Sequence, residues 1–197
     1  MTWTEVLGLI TFGVAGSGSP GPNNALLLAS GIRFGFRRTI PHILGAAVGV
    51  GAMVILVAAG VGALVEAVPG SQLGLRIIGS IYLLYLALRL AGSGVMKGGS
   101  VSKPLNVWEA GVFQFVNPKA WIFAIAVVAA FLPPAMPALI GGLLLTTILT
   151  IVMTGTFATW ALGGAALSRL LARDGVARFV NLMLAVLLVA SVAFLWV

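Results

Sequence analysis

The chain has 197 residues, of which 60% are hydrophobic and only 8% charged, with a formal net charge of +7 and no cysteine. A soluble domain carries about a quarter of its residues charged, so water is not the main solvent here, and the missing cysteines remove disulfides, thiol relays and thiolate metal sites. The basic residues sit in short clusters between apolar stretches, without the aromatic and basic surface that nucleic acid requires.

A helix that crosses the hydrocarbon core needs roughly 20 apolar residues. Six such segments can be marked at about Thr4–Ile32, Ile40–Val65, Leu73–Leu90, Val107–Leu132, Ala138–Gly163 and Ala177–Trp196. The expected fold class is all-α integral membrane, a single transport domain over residues 1–197 with no soluble appendage. The opening Met1-Thr2-Trp3-Thr4-Glu5 lacks the positive start of a secretory signal, so the first segment reads as a retained helix.

Helix one is interrupted by Ser17-Gly18-Ser19-Pro20-Gly21-Pro22-Asn23-Asn24, where two prolines remove donors and two glycines loosen the backbone. The order suits a restart, with Ser19 as N-cap and Pro20 at the first helical position. Arg33, Arg37 and Arg38 follow as a topology cluster, with anionic lipid contact as the lesser use. In helix two, Gly45 and Gly49 form a small-xxx-small pair suited to close helix packing. His42 beside Pro41 reads as an interfacial residue, and Tyr82 and Tyr85 of helix three read as packing residues. The glycine- and serine-rich run from Ala91 to Pro104 divides the chain into a first half of about 1–92, a linker of about 93–106 and a second half of about 107–197.

Helix four opens the second half and is interrupted in its turn at Phe113-Gln114-Phe115-Val116-Asn117-Pro118-Lys119, where Asn117 is the expected N-cap and Pro118 the first helical residue. Lys119 stands just after this restart, and a cation at that depth is costly enough to be a functional candidate by default. Thr146, Thr150 and Thr154 share one face of helix five, where they either line a solute path or bond back to their own helix carbonyls. Nine of the eleven basic residues lie on the odd-numbered connections, which places those connections in the cytoplasm and both termini outside. Trp3, Trp108 and Trp196 then fall near the interfaces. Three helices per half make the halves an inverted-topology pair, with both breaks in corresponding positions.

Each restart aims free N–H groups into the membrane, and such ends favour an anionic group, including a carboxylate. The expected binding set is Ser19, Asn23, Asn24, Gln114, Asn117 and Lys119, around breaks made by Pro20, Gly21, Pro22 and Pro118. Lys119 would hold the carboxylate, and exposed carbonyls with the amides of Asn23, Asn24, Gln114 and Asn117 are candidate acceptors for an ammonium. No acidic residue lies deep, which argues against a dibasic solute and against buried oxygen ligands for a metal. One histidine and no deep acid also disfavour intramembrane catalysis, so no enzyme, cofactor or metal is expected.

Ser19-Pro20-Gly21-Pro22-Asn23-Asn24, the run Gly31–Arg38 and Phe115-Val116-Asn117-Pro118-Lys119-Ala120 resemble the hallmark segments of the LysE/RhtB family of bacterial amino acid exporters, with Pro69, Gly79 and Tyr82 as further similarities. The resemblance covers nearly the whole chain. It implies a secondary transporter that exports an amino acid or derivative across the bacterial inner membrane, driven by the proton gradient, on an inverted-repeat fold with broken helices. The partners implied are a small solute, foremost a zwitterionic amino acid, and the lipid bilayer, with no nucleic acid and with a homodimer left open. Export of another small carboxylate-bearing metabolite, and a membrane scaffold, are the alternatives.

Overall fold

The computed structural model describes residues 1–60 and 103–168 continuously, together with isolated positions between 73 and 88 and between 182 and 193. The continuous stretches hold six helices: α1 (Trp3–Gly18), α2 (Pro22–Phe34), α3 (Phe36–Ala58), α4 (Val107–Phe115), α5 (Pro118–Phe131) and α6 (Ala138–Ser168). The isolated positions are helical as well, and no strand occurs among the described residues. Helices α3 and α6 are each long and apolar enough to cross a membrane, and α4 and α5 together reach the same length and apolarity as a pair bent by 74° at its break.

The distribution of polarity is that of a protein whose solvent is hydrocarbon. Leu88, Ile151 and Trp108 are largely exposed, whereas Asn23, Asn24, Thr39, Gln114 and Asn117 are buried. In water the opposite placement would be favoured, and in lipid a polar group is stable only where the protein supplies its hydrogen bonds.

Capping boxes start α1 and α4. Thr2 and Glu5 bond reciprocally at the first, and Asn106 and Glu109 at the second. Each box satisfies two N–H groups that a helix start otherwise leaves bare. A left-handed Gly35, with φ of 77°, turns the chain from α2 into α3.

Helices α3 and α6 form the centre, where Ala46, Val50 and Met53 of α3 share a core cluster with Leu145, Leu149 and Met153 of α6. Glycine lets the backbones of other pairs touch. A Cβ at Gly49 would stand 2.6 Å from the Gly111 carbonyl oxygen, and one at Gly45 would overlap the Val107 carbonyl, so this pair packs α3 on α4 as expected. The same holds between α2 and α6, where Gly31 meets Ala161 and Gly164 meets Leu28.

Two expectations are corrected here. The second segment begins at Phe36, four residues before the expected Ile40, which carries His42 well inside a regular helix. It shares a face with the buried Thr39, Ile43 and Ala46, and at 1% exposed its ring is covered by protein. Neither of its ring nitrogens has a hydrogen-bond partner among the described residues. The first helix restarts at Pro22 with Gly21 as N-cap, not at Pro20 with Ser19. A residue before proline is disfavoured in the α region, and Gly21 is extended, with φ of 175° and ψ of 176°, so the helix starts after it. Most of the expected linker, together with Pro69, Gly79, Tyr82 and Trp196, lies outside the described residues.

Candidate functional site

Ending a helix inside a membrane leaves carbonyl groups that water cannot reach. At the end of α1 every one of them from Ala15 to Gly21 finds a donor. The Ser19 backbone N–H donates to Ala15 O, and the Ser19 hydroxyl to Gly16 O at 2.9 Å. Asn24 Nδ2 donates to Ser17 O at 2.6 Å and to Ser19 O at 2.8 Å. Trp160 Nε1 of α6 donates to Gly18 O at 3.1 Å, and the Ala25 N–H to Gly21 O.

Lys119 completes this end from the other half of the chain. Its Nζ lies 2.7 Å from Ser19 O, 2.8 Å from Ser19 Oγ and 3.2 Å from Pro20 O. Three oxygens meet the three N–H groups of an ammonium, and the cation stands where the α1 dipole is negative. Gly21 makes room for it, since a Cβ there would be 2.8 Å from Lys119 Cδ.

The second break is built in parallel. Trp121 Nε1 donates to Phe115 O at 2.9 Å, and the Ala120 N–H to Asn117 O at 3.0 Å. Asn117 is the N-cap and Pro118 the first helical residue, as expected. The Asn117 side chain makes no capping bond.

A chain of amides joins the two breaks. Gln114 Nε2 donates to Ala110 O and to Asn23 Oδ1 at 3.0 Å, while Asn117 Nδ2 donates to Gln114 Oε1 at 3.2 Å. Asn23 Nδ2 makes a long contact of 3.5 Å with Asn24 Oδ1. Asn117 Oδ1 is buried and has no hydrogen-bond partner among the described residues.

Both breaks border one pocket of about 360 Å³, a volume that includes the open space at its mouth. Its polar wall is Ser17, Asn23, Asn24, Gln114, Asn117 and Lys119, and Val50, Phe123, Met153 and Phe157 close it on the apolar side. Five of the six expected binding residues thus meet in one place. The sixth, Ser19, is absent from the lining and instead caps α1 and holds Lys119.

The threonine row does not line this pocket. Thr146 donates to Gly51 O of α3, and Thr154 donates back to Thr150 O of its own helix. Sequence reasoning missed Thr156, whose hydroxyl lies 2.6 Å from that of Ser17, and Trp160. It also missed the apolar wall from α3, α5 and α6. One usable signal was present, because Met153, Thr156, Phe157 and Trp160 follow one another at helical spacing on a single stripe.

Residues 14–196 match the family model described as LysE type translocator. The chain belongs to the LysE-type translocator family. The translocator is also 32% identical over 192 residues, 96% of each chain, to proteins of Escherichia coli strain K12 and Shigella sonnei strain Ss046, each named cysteine/O-acetylserine efflux protein. A protein of the same name from Escherichia coli O139:H28 is 31% identical over the same span. No solved structure matches it. The Pro-Gly-Pro-Asn-Asn and Asn-Pro-Lys segments that carried the resemblance are, in the translocator, the two walls of the pocket.

Proposed function

We propose that this translocator is a secondary carrier that exports an amino acid or amino acid derivative across the bacterial inner membrane. The observation that carries the reading is that two helix starts without side-chain caps, those of α2 and α5, border one pocket beside a lysine. Bare N–H groups at a helix start attract an anion, so the solute carboxylate sits between Asn23, Asn24 and Lys119. Taking it up requires Lys119 to exchange one of its oxygens at the α1 end, which links binding to the conformation of the first break. The relatives named for cysteine and O-acetylserine efflux favour a solute with a small, uncharged side chain, as does the apolar wall of Val50, Phe123, Met153 and Phe157.

Six helices arranged as two inverted three-helix repeats, with both termini outside, make up the carrier. Three parallels support the repeat: a capping box at the start of α1 and of α4, a break followed by proline in each, and an indole bonded to a carbonyl at each break. The basic connections support the orientation.

The test is uptake of radiolabelled amino acids into inverted membrane vesicles, with a panel of unlabelled amino acids as competitors. Saturable uptake displaced by one class of amino acid is the expected result. Uptake that no α-amino acid displaces, with vesicles holding folded protein, ends the reading.

A further inference from the structure

We infer that Asn117 is the specificity residue for the amine of the solute, and that its Oδ1 receives the α-ammonium; this rests on the transport reading above. Four amides stand around the pocket, and in three of them the oxygen already meets an N–H. Their orientations are not arbitrary, because an amide can be reversed only where its partners both donate and accept. Asn24 Nδ2 faces the carbonyls of Ser17 and Ser19, which only accept, so its NH₂ is fixed there. Gln114 Nε2 is fixed in the same way by Ala110 O, and its second hydrogen occupies Asn23 Oδ1. Gln114 Oε1 therefore faces Asn117 and must meet its NH₂ rather than its oxygen.

Polarity thus runs in one direction along the chain of amides, and it ends on an amide oxygen that meets no donor among the described residues. Asn117 is 3% exposed, lines the pocket, and leaves Oδ1 without a partner. A buried amide oxygen of this kind is costly to leave bare. On this inference the donor it lacks comes from the solute in the pocket that Asn117 borders.

An α-ammonium suits the position better than a neutral donor. Its hydrogen bonds are charge-assisted, and the groups that take its carboxylate, Asn23, Asn24 and Lys119, border the same pocket as Asn117. One neutral acceptor also suits one ammonium. It supplies no counter-charge for a second cation, so a monoamino acid with an uncharged side chain is the class selected. A desamino acid would keep the carboxylate contacts but leave Oδ1 bare, and sites of this construction discriminate strongly against such analogues.

The experiment is equilibrium binding to the purified full-length protein with matched pairs: cysteine and 3-mercaptopropionate, alanine and propionate, methionine and 4-(methylthio)butanoate. At least one amino acid should bind about 10- to 100-fold more tightly than its desamino partner. In Asn117→Leu that ratio should fall to about threefold or less, through loss of amino acid affinity with the desamino affinity nearly kept. Equal affinities within every pair in the wild type, with binding observed, overturn the role of Asn117 and leave the transport reading standing. So does an undiminished ratio in Asn117→Leu. If that variant does not fold, Asn117→Ser and the wild-type ratio decide the matter. Failure of the folded wild type to bind any of the six compounds overturns the transport reading, and this inference with it.

Discussion

Replacing Asn24 with alanine is expected to destabilise the protein more than any other single change in the polar wall. The side chain is 2% exposed and donates to two carbonyls, Ser17 O and Ser19 O. Ser19 O keeps Lys119 Nζ after the substitution, so that loss amounts to about 1 kcal/mol for one net hydrogen bond. Ser17 O belongs to the last turn of α1, and no other donor among the described residues reaches it. Leaving such an acceptor bare costs about 1–3 kcal/mol, for a sum of about 2–4 kcal/mol. At about 2–4 °C per kcal/mol for a chain of this size, the melting temperature should fall by about 4–16 °C, as read by fluorescence-detected thermal unfolding in detergent. Asn24→Asp keeps the shape but aims oxygen at two carbonyls, and should be at least as damaging. A melting temperature within about 2 °C of wild type for either variant would refute the carbonyl accounting at the first break.

Lys119→Met should lower amino acid affinity by about tenfold or more while the melting temperature drops only a few degrees, because Ser19 O retains Asn24 and Pro20 O, the other carbonyl that loses Lys119, lies at an exposed site; unchanged affinity makes the lysine structural. Lys119→Arg should fail to restore binding, since Gly21 leaves space for a slender stem and not for a planar guanidinium. Trp160→Phe keeps the ring but removes the bond to Gly18 O, and a loss of about 1 kcal/mol should appear as a melting shift of about 2–4 °C. Gly45→Val should abolish folded protein on size-exclusion chromatography, because its side chain would overlap the Val107 carbonyl. Reporter fusions should place both termini outside the cytoplasm; a cytoplasmic C-terminus contradicts the orientation.

The breaks could be located from the sequence because proline and glycine act on their own backbone, whatever the rest of the chain does. The choice between Pro20 and Pro22 was readable by the same rule, since Gly21 precedes a proline and is biased away from helical geometry. The expectation of Ser19 as N-cap went wrong by weighing the favoured residue type ahead of that steric limit. Other parts of the site depended on groups far along the chain. Nothing local to Gly18 announces that an indole 142 residues away will cap it. Likewise, the depth of Lys119 marked it for a role, but not that its three protons would be met by Ser19 and Pro20. The burial of His42 was hidden because it depends on where α3 begins, and Gly35 sets that start by a left-handed turn that leaves little trace in hydropathy.

The glycine contacts have a mechanical consequence. Where one backbone rests directly on another, the two helices cannot slide without collision, because no flexible side chain stands between them to re-adjust. The contacts of Gly45 and Gly49 fasten α3 to α4, and those of Gly31 and Gly164 fasten α2 to α6. Each fastened pair takes one helix from either half of the chain. A rocking of the N-terminal half as a block against the C-terminal half would tear both seams at once. Between α1 and α5, by contrast, contact is made by rings, with Phe12 stacked on Phe123 and tilted against Phe131. Rings can re-seat by rotating about χ1 and χ2, so the compliant joint of this molecule runs along α1 and α5, the two helices that lead into and out of the breaks.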